Sequence, residues 1–359
     1  MNLYCRKDGR WEGRIPRGKK KNGKRKFQYI ISRNKEDVIS RINMIRQSEQ
    51  NYQSCYKTLD AIFYEWFNTV KYHIKESTAS NYRMKAEKHI LPSFGEKLID
   101  SITQKDIYNF IDQKRKDRLS DRYIADIIIL IKGIFKYSVK TYHIFNPMEG
   151  LVLPKRKNTE IQLLDSSEQS KLQEYISKNQ NLGTLGTALS YSTGIRIGEL
   201  CALQWKDIDF EKRILTVRKT IQRIQCKGGE KRTKLIITDP KSDSSKRKIP
   251  IPDCIMSFLY QFKGNPDDYL LSGFEKPIEP RTMQYRFSRI LKNAKLPSVH
   301  FHTLRHMFST NCIQLGFDVK TLSELLGHAS IETTIPVPNS NTKPVAVPTD
   351  IYERFILVG

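Results

Sequence analysis

The sequence predicts an α+β protein of three domains: a small N-terminal antiparallel sheet with one helix, a helical middle domain, and a mainly helical C-terminal domain carrying a second small antiparallel sheet. Three observations predict this. The chain has 359 residues, too many for one core when a domain takes about one hundred to two hundred. The spacing of its apolar residues changes from alternation to a helical period and then to a mixture of the two. Its charge is strongly positive and unevenly placed: 62 Lys and Arg face 38 Asp and Glu, a net +24, and residues 1–33 hold twelve Lys or Arg but only Asp8 and Glu12. An excess concentrated in this way favours a polyanion as partner, DNA or RNA, over a merely solvated surface.

The other classes are narrowed by what the sequence spaces apart. The six cysteines, Cys5, Cys55, Cys201, Cys226, Cys254 and Cys312, never reach the close pairing of a zinc or redox motif. Reduced thiols in a cytoplasmic protein are expected, with no metal and no cofactor. The most apolar stretch, IADIIILIKGIF at 124–135, is broken by Asp126 and Lys132, so no membrane span is expected. The basic N-terminus leads into no apolar signal region.

In chain order, the first domain, 1–50, alternates aromatic and polar residues around Trp11 and Ile15 and again through Phe27, Tyr29 and Ile31, with RGKKKNGKRK between. A helix follows from about Asn34, a plausible cap, because Val38, Ile42 and Ile45 share one face. So small a sheet needs that helix to complete its core, which leaves the outward strand face for function. The second domain, 57–155, is helical: three or four helices fit between Thr58 and Lys155, separated at LPSFG (91–95) and NPMEG (146–150). Lysines in KYHIKESTASNYRMKAEKH either hold phosphates or only solvate helix faces. LPKRKNTEIQLLD, 153–165, has the texture of a linker. The third domain, 165–335, has helices up to Trp205, strands in RILTVRKTIQ, KLIITDP and RKIPI, and helices again from about Arg281.

Four strings in this last domain carry candidate chemistry. In TGIRIGEL (193–200), a glycine turn precedes Arg196 and a helix bearing Glu199; alone, it reads first as a structural Arg196–Glu199 pair, although an arginine there also offers a fork to a phosphate. DPKSDSSKRKIPI (239–251) reads as a polar hairpin tip with Lys241 where its first strand ends, a weak signal alone. HTLRHMF (302–308) places His302 and Arg305 three residues apart, on one face of a helix. LSELLGHASIETT (322–334) is a helix ended by Gly327 with His328 just beyond it, where a capping or core histidine is the simplest account.

Taken together and in this order, the strings resemble the active-site set of the tyrosine recombinases, the integrase type carried by phages, transposons and other mobile elements. The resemblance covers residues 58–334, and DGRWEGRIP with KRKFQY is similar, over a shorter motif, to the arm-binding sheet of conjugative-transposon and phage integrases. It implies a three-stranded arm-type DNA-binding domain, a SAM-like core-binding domain and the recombinase catalytic fold. It also implies double-stranded DNA, at core and arm sites, as partner, self-association to a tetramer on DNA and DNA-bending accessory proteins. Arg196, Arg305 and His328 would clamp the scissile phosphate, His302 would assist proton movement at the nucleophile, and Lys241 would protonate the departing 5′ hydroxyl. Two guanidinium forks and an imidazole suit the charge that gathers on non-bridging oxygens, so the arginines supply what magnesium supplies elsewhere. Glu199 and His306 are read as supports.

One feature departs from the family. Its nucleophile is a tyrosine on a short helix after a Thr-rich turn; here the count from His328 passes Thr333 and Thr334 and arrives at Pro338. Neither Pro336 nor Pro338 suits a helix interior, and IPVPNSNTKPVAVP reads as extended or disordered, so 336–359 is set apart as an atypical tail whose texture suggests a frame change or fused fragment. Tyr352 is the one tyrosine downstream, and a nucleophile on a floppy tether loses orientation. Two functions therefore stand: a DNA strand-exchange recombinase with an impaired cutting step, and an inactive DNA-binding protein that occupies recombination sites. A type IB topoisomerase, similar in its site, lacks a separate arm-binding sheet.

Overall fold

The computed structural model describes residues 3–19, 25–50, 55–154, 162–226, 232–239 and 246–327. Lys241, His328, Pro338 and Tyr352, with the whole proposed tail, lie outside them. The chain divides into two compact units, Met1–Lys157 and Asn158–Gly359, each taken by itself below.

The first unit begins with β1 (Leu3–Cys5), β2 (Trp11–Lys19) and β3 (Arg25–Ser32), an antiparallel sheet in that order. Alternation places Ile15 and Ile30 on one face, and α1 (Lys35–Gln50) covers it with Val38 and Ile42, both almost fully buried. The Asn34 carboxamide oxygen accepts from the Glu36 amide at 2.9 Å, so the cap lies where the sequence put it. The opposite face keeps Tyr4 and Tyr29 exposed, with the Arg14 guanidinium stacked over both rings at 4.6 and 5.6 Å.

A second hydrophobic cluster in this unit is all helical: α2 (Leu59–Val70), α3 (Glu76–Lys85), α4 (Leu91–Phe94), α5 (Gln104–Lys116) and α6 (Asp121–Tyr142). The apolar run predicted to be unable to span a membrane becomes the spine of α6, with Ile124, Ile127, Ile128, Ile131, Ile134 and Phe135 all buried. No helix among the described residues is long and apolar enough to cross a membrane. LPSFG does not separate two helices as expected. A π-helical turn, Ala86–Ile90, carries α3 directly into α4, so Leu91–Phe94 is the last turn of one continuous helix and Gly95 follows its end. NPMEG is a turn, with Gly150 at φ 71°.

The second unit places α7 (Ser166–Lys178) and a fully buried α8 (Leu182–Thr193) before the short α9 (Ile197–Leu200). Then come β4 (Ile208–Asp209), β5 (Ile214–Val217), β6 (Thr220–Gln225), β7 (Thr233–Thr238) and β8 (Arg247–Pro250), followed by α10 (Asp253–Phe262), α11 (Pro280–Asn293), α12 (Thr303–Gln314) and α13 (Val319–Leu326). Two expectations change here. RILTVRKTIQ is two strands in two sheets, since β5 pairs with β4 and β8 whereas β6 pairs with β7. The described strands on either side of DPKSDSSKRKIPI, β7 and β8, therefore belong to different sheets and do not pair with each other, and residues 240–245 between them lie outside the described residues. Helices also resume earlier than Arg281: Ile255, Met256, Phe258 and Leu259 form the buried stripe of α10, whose helical spacing was hidden by its short length.

In the helical cluster, the Glu65 carboxylate of α2 accepts from Tyr137 at 2.7 Å and Tyr142 at 2.5 Å, and from Lys57 at 2.8 Å. Lys57, then the two tyrosines, hold its carboxyl down to about 2 from an ordinary 4.5. A depressed carboxyl stabilises the fold above its ordinary pKa and loses that contribution as acid protonates it. Glu65→Gln is expected to lower stability by about 1 kcal/mol at neutral pH, discounted for solvent screening. The gap to the native chain should close between pH 4.5 and about 2. Thermal unfolding across that range measures it; a gap independent of pH would contradict the assignment.

Candidate active site

The site is built where four segments distant in sequence meet in the second unit. Gly194, at φ 62°, ends α8, and a side chain there would strike Phe308 and Leu326. The glycine thus turns the chain so that Arg196 becomes the residue preceding α9. One turn later, Glu199 reaches back: its carboxylate accepts from the Arg196 backbone amide at 3.1 Å and from Arg196 Nη1 at 3.0 Å. The pair that sequence alone read as structural is present. It is also only part of the arrangement.

Glu199 is 3 % exposed, and a second guanidinium lies along it. Arg247 of β8 donates from Nη2 at 2.9 Å and from Nη1 at 3.2 Å to the two carboxylate oxygens. Burial alone would raise the Glu199 pKa, but the hydrogen bonds and charge of Arg247 with the charge of Arg196 outweigh it and hold the carboxyl below its ordinary value. A lone buried carboxylate would be strongly destabilising, so the two arginines are what permit this one.

The third arginine arrives on α12. His302 precedes the helix and Arg305 lies one turn along it, 3 % exposed, with Nη1 donating to the Gly194 carbonyl at 2.6 Å and Nη2 to the Leu326 carbonyl at 2.8 Å. Burial, then the charges of Arg196 and Arg247, push its pKa down to about 9, still protonated at neutral pH. His302 opens to solvent on one side, and its ring meets that of His306 edge-on at 4.8 Å between centroids. Burial of the rest of the ring, then the charges of His306, Arg305 and Arg196, push its pKa down to about 4. Burial comes first in the Arg305 and His302 shifts, and a positive surplus adds to it: among the described residues, Arg196 and Arg247 hold one carboxylate and Arg305 lies beside them. Arg196, whose side chain stays 34 % exposed, opens this surplus to solvent.

Thus Arg196, His302 and Arg305 are brought together, with α13 and its terminal Gly327 beside them, while Lys241 and His328 fall outside the described residues. Sequence reasoning missed Arg247. Its signal was legible: in RKIPI, positions 247, 249 and 251 point inward together, and an arginine alternating with two buried isoleucines needs an acidic partner.

The sequence profile of the phage integrase family matches residues 157–337, half of the chain, and that of the phage integrase N-terminal SAM-like domain matches 58–115. The chain belongs to this family, that of the tyrosine recombinases. A tyrosine recombinase XerC-like protein of Caldanaerobacter subterraneus subsp. tengcongensis is similar, 29 % identical over 331 residues, covering 82 % of this chain and 83 % of the relative. Among solved structures, the Tn1549 transposon integrase in complex with a circular intermediate DNA superimposes with a TM-score of 0.65 at 21 % identity, over 77 % of this chain and 93 % of that one. Lambda integrase is similar in fold as a dimer bound to a COC′ core site, at a TM-score of 0.61 and 19 % identity over 97 % of this chain and 98 % of that one. It is similar also as a tetramer bound to a Holliday junction, at a TM-score of 0.60 and 21 % identity over 93 % and 95 %. The three-domain recombinase architecture of this chain is therefore that of its family, SAM-like domain included.

The surplus of positive charge gives a direct measurement on the DNA-free protein. The His302 ring should titrate well below free histidine, near pH 4, and Arg196→Gln should move it upward, because removing a neighbouring cation favours the imidazolium. Histidine-ring NMR over pH 3.5–8 reads both. An ordinary titration in the native chain would mean that this ring is neither buried nor crowded by His306, Arg305 and Arg196.

Proposed function

We propose that this chain engages recombination sites in duplex DNA as a site-specific integrase of a mobile element, with Arg196 and Arg305 receiving the scissile phosphate, and that its cutting step is impaired. The observation that carries the reading is the convergence of three guanidiniums around the end of α13 with one carboxylate among them, and with Arg196 open to solvent. Such a site has strong reason to accept an anion, and a phosphodiester in transition is the anion that two arginine forks fit. His302, kept neutral by burial and then by the charges of its neighbours, is suited to accept a proton as a nucleophile attacks phosphorus. Lys241 as the acid for the 5′ oxygen and His328 as a third phosphate ligand complete the assignment.

The remaining domains divide the contact with DNA. We assign 1–50 to arm-type sites, on the strength of the exposed Tyr4, Arg14 and Tyr29 face and the surrounding lysines. Residues 57–155 are assigned to the core site, 165–335 to catalysis and 336–359 to an atypical tail. Tetramer formation on paired sites is part of the same proposal; lambda integrase as a tetramer on a Holliday junction, alike in fold, supports it.

Impairment follows from the tail. The family match ends at residue 337, one position before Pro338, where the nucleophilic tyrosine is expected. A proline there fits no helix that would carry a tyrosine, and Tyr352 lies fourteen positions further on. The DNA grip and the cutting step thus depend on separate parts of the chain. A chain that grips without cutting would occupy its sites as a competitor of an intact recombinase.

A nicked suicide substrate, which traps a phosphotyrosyl intermediate, tests the cutting step. Little or no covalent adduct is expected from this chain, and one should appear when the tail is rebuilt as a helix carrying Pro338→Tyr. A robust adduct that vanishes in Tyr352→Phe would overturn the impaired reading in favour of a displaced nucleophile. Binding itself should weaken by orders of magnitude between about 50 and 200 mM salt, as counterions released from many phosphates compete for return. Affinity that scarcely changes over that range would remove DNA as the partner.

A further inference from the structure

Arg196 and Arg247 share Glu199, and all three guanidiniums have a further partner in common. Each also donates to the end of α13, and they do so in sequence order along it: Arg247 Nε to the Leu325 carbonyl at 2.6 Å, Arg305 Nη2 to the Leu326 carbonyl at 2.8 Å, and Arg196 Nη2 to the Gly327 carbonyl at 2.9 Å. The last carbonyls of a helix have no partners within it and carry the negative end of its dipole. Here they are met by fixed cations from β8, α12 and the turn before α9. Gly327, at φ 64°, ends the helix so that these oxygens are presented together.

Arg247, like Arg305, is buried: its side chain is 5 % exposed, against 34 % for Arg196. Like Arg196, it spans both ends of the arrangement, but it does so from a buried strand: its fork holds both oxygens of Glu199 while its Nε holds Leu325. Glu199 in turn fixes Arg196 through Nη1 and through the backbone amide. A chain of direct contacts therefore runs from α13 through Arg247 and Glu199 to the one arginine that faces solvent.

We propose that Arg247 is a positioning residue for the phosphate site: it locks the Glu199 carboxylate and the C-terminal end of α13 into one register, and so sets both the aim of Arg196 and the point from which the chain leaves toward residue 328. The proposal rests on the reading of Arg196 and Arg305 as the phosphate clamp, and it adds the residue that orients the clamp without touching DNA. It assigns β8 a structural reason for an inward arginine that hydrophobic packing would not choose. A lysine cannot replace it, because one ammonium cannot bridge a carboxylate edge-on and reach Leu325 from a separate nitrogen.

The test uses the full chain without DNA and three variants: Arg247→Lys, which keeps the charge and removes the fork; Arg247→Met; and Arg247→Met with Glu199→Gln, which removes both buried charges. Two signals are read, hydrogen exchange of peptides covering α13 and the titration of His302 by NMR. The charges that depress His302 are those of His306, Arg305 and Arg196, not Arg247, so a change in His302 reports movement of the clamp and not the missing charge itself. The expected result for Arg247→Lys is exchange about ten-fold faster at the end of α13, with the His302 titration displaced upward and peptides from α8 and β5 unchanged. In the double variant the fold should persist, as it does when paired buried charges are removed together, while the end of α13 stays fast-exchanging. Should Arg247→Met alone fail to fold, the other two variants decide the matter.

Native exchange and native His302 titration in both Arg247→Lys and the double variant would overturn the proposal, leaving Arg247 as no more than a counter-charge for Glu199. Adding duplex DNA at low salt to the native chain tests the underlying reading separately. The His302 titration should rise as phosphate neutralises the clamp. If DNA binds and His302 does not move, the phosphate assignment fails while the DNA-free result for Arg247 stands on its own.

Discussion

One buried carboxylate, Glu199, and the three unpaired carbonyls at the end of α13 impose the geometry on which the candidate site depends. Each is a group that burial would make costly if left alone. The carboxylate needs cations, the carbonyls need donors, and a guanidinium can serve both at once because its five N–H groups point in different directions in one plane. Arg196, Arg247 and Arg305 meet these needs together, each with one edge on the end of α13. Arg196 and Arg247 turn a second edge to Glu199, and Arg305 turns its second edge to the Gly194 carbonyl. The turn at Gly194, strand β8, helix α12 and helix α13 are brought together by this mutual satisfaction.

The same arrangement explains its own electrostatics. Burial lowers the Arg305 and His302 values, the charge of neighbouring cations lowers them further, and the arginines hold the Glu199 carboxyl down. A protein that stores a positive surplus in a partly closed site maintains it by folding energy elsewhere, here the large apolar cluster of the second unit. The preorganised cations then need no rearrangement when an anion enters, the condition under which electrostatic stabilisation of a transition state is most effective. On the proposed reading, gripping a phosphate and cutting it are separable, since the assigned phosphate ligands end at His328 and the family's nucleophile comes later in the chain.

The elements that sequence reasoning placed well are those whose signal is local. The alternation through Trp11–Ile15 and Phe27–Ile31, the Asn34 cap with Val38 and Ile42, and the glycine stop at Gly327 each follow from a pattern within a few residues. Those it misplaced depend on partners far away. RILTVRKTIQ has continuous strand character, yet it splits because Leu215 and Val217 pair with β8 while Thr220 onward pairs with β7. LPSFG carries two turn-forming residues, yet the π-helical turn before it lets the helix run on through Pro92 to Phe94. Arg247 was passed over because a basic residue in a basic run looks like surface, and only the inward register of β8 shows it facing Glu199.

The sequence by itself determined the class of this protein, its basic character, and the spacing and order of Arg196, His302 and Arg305, because a family's motifs are short strings whose chemistry survives wide divergence in the rest of the chain. It determined also that a proline occupies the position where a nucleophilic tyrosine is expected, since that is a matter of counting along the chain. Only the tertiary structure decided that Arg196 and Arg305 share a helix end, that Arg247 joins them, and that one carboxylate serves two arginines. Those facts are contacts between residues up to 131 positions apart, and no local pattern encodes which distant carbonyl a guanidinium will find when burial obliges it to find one.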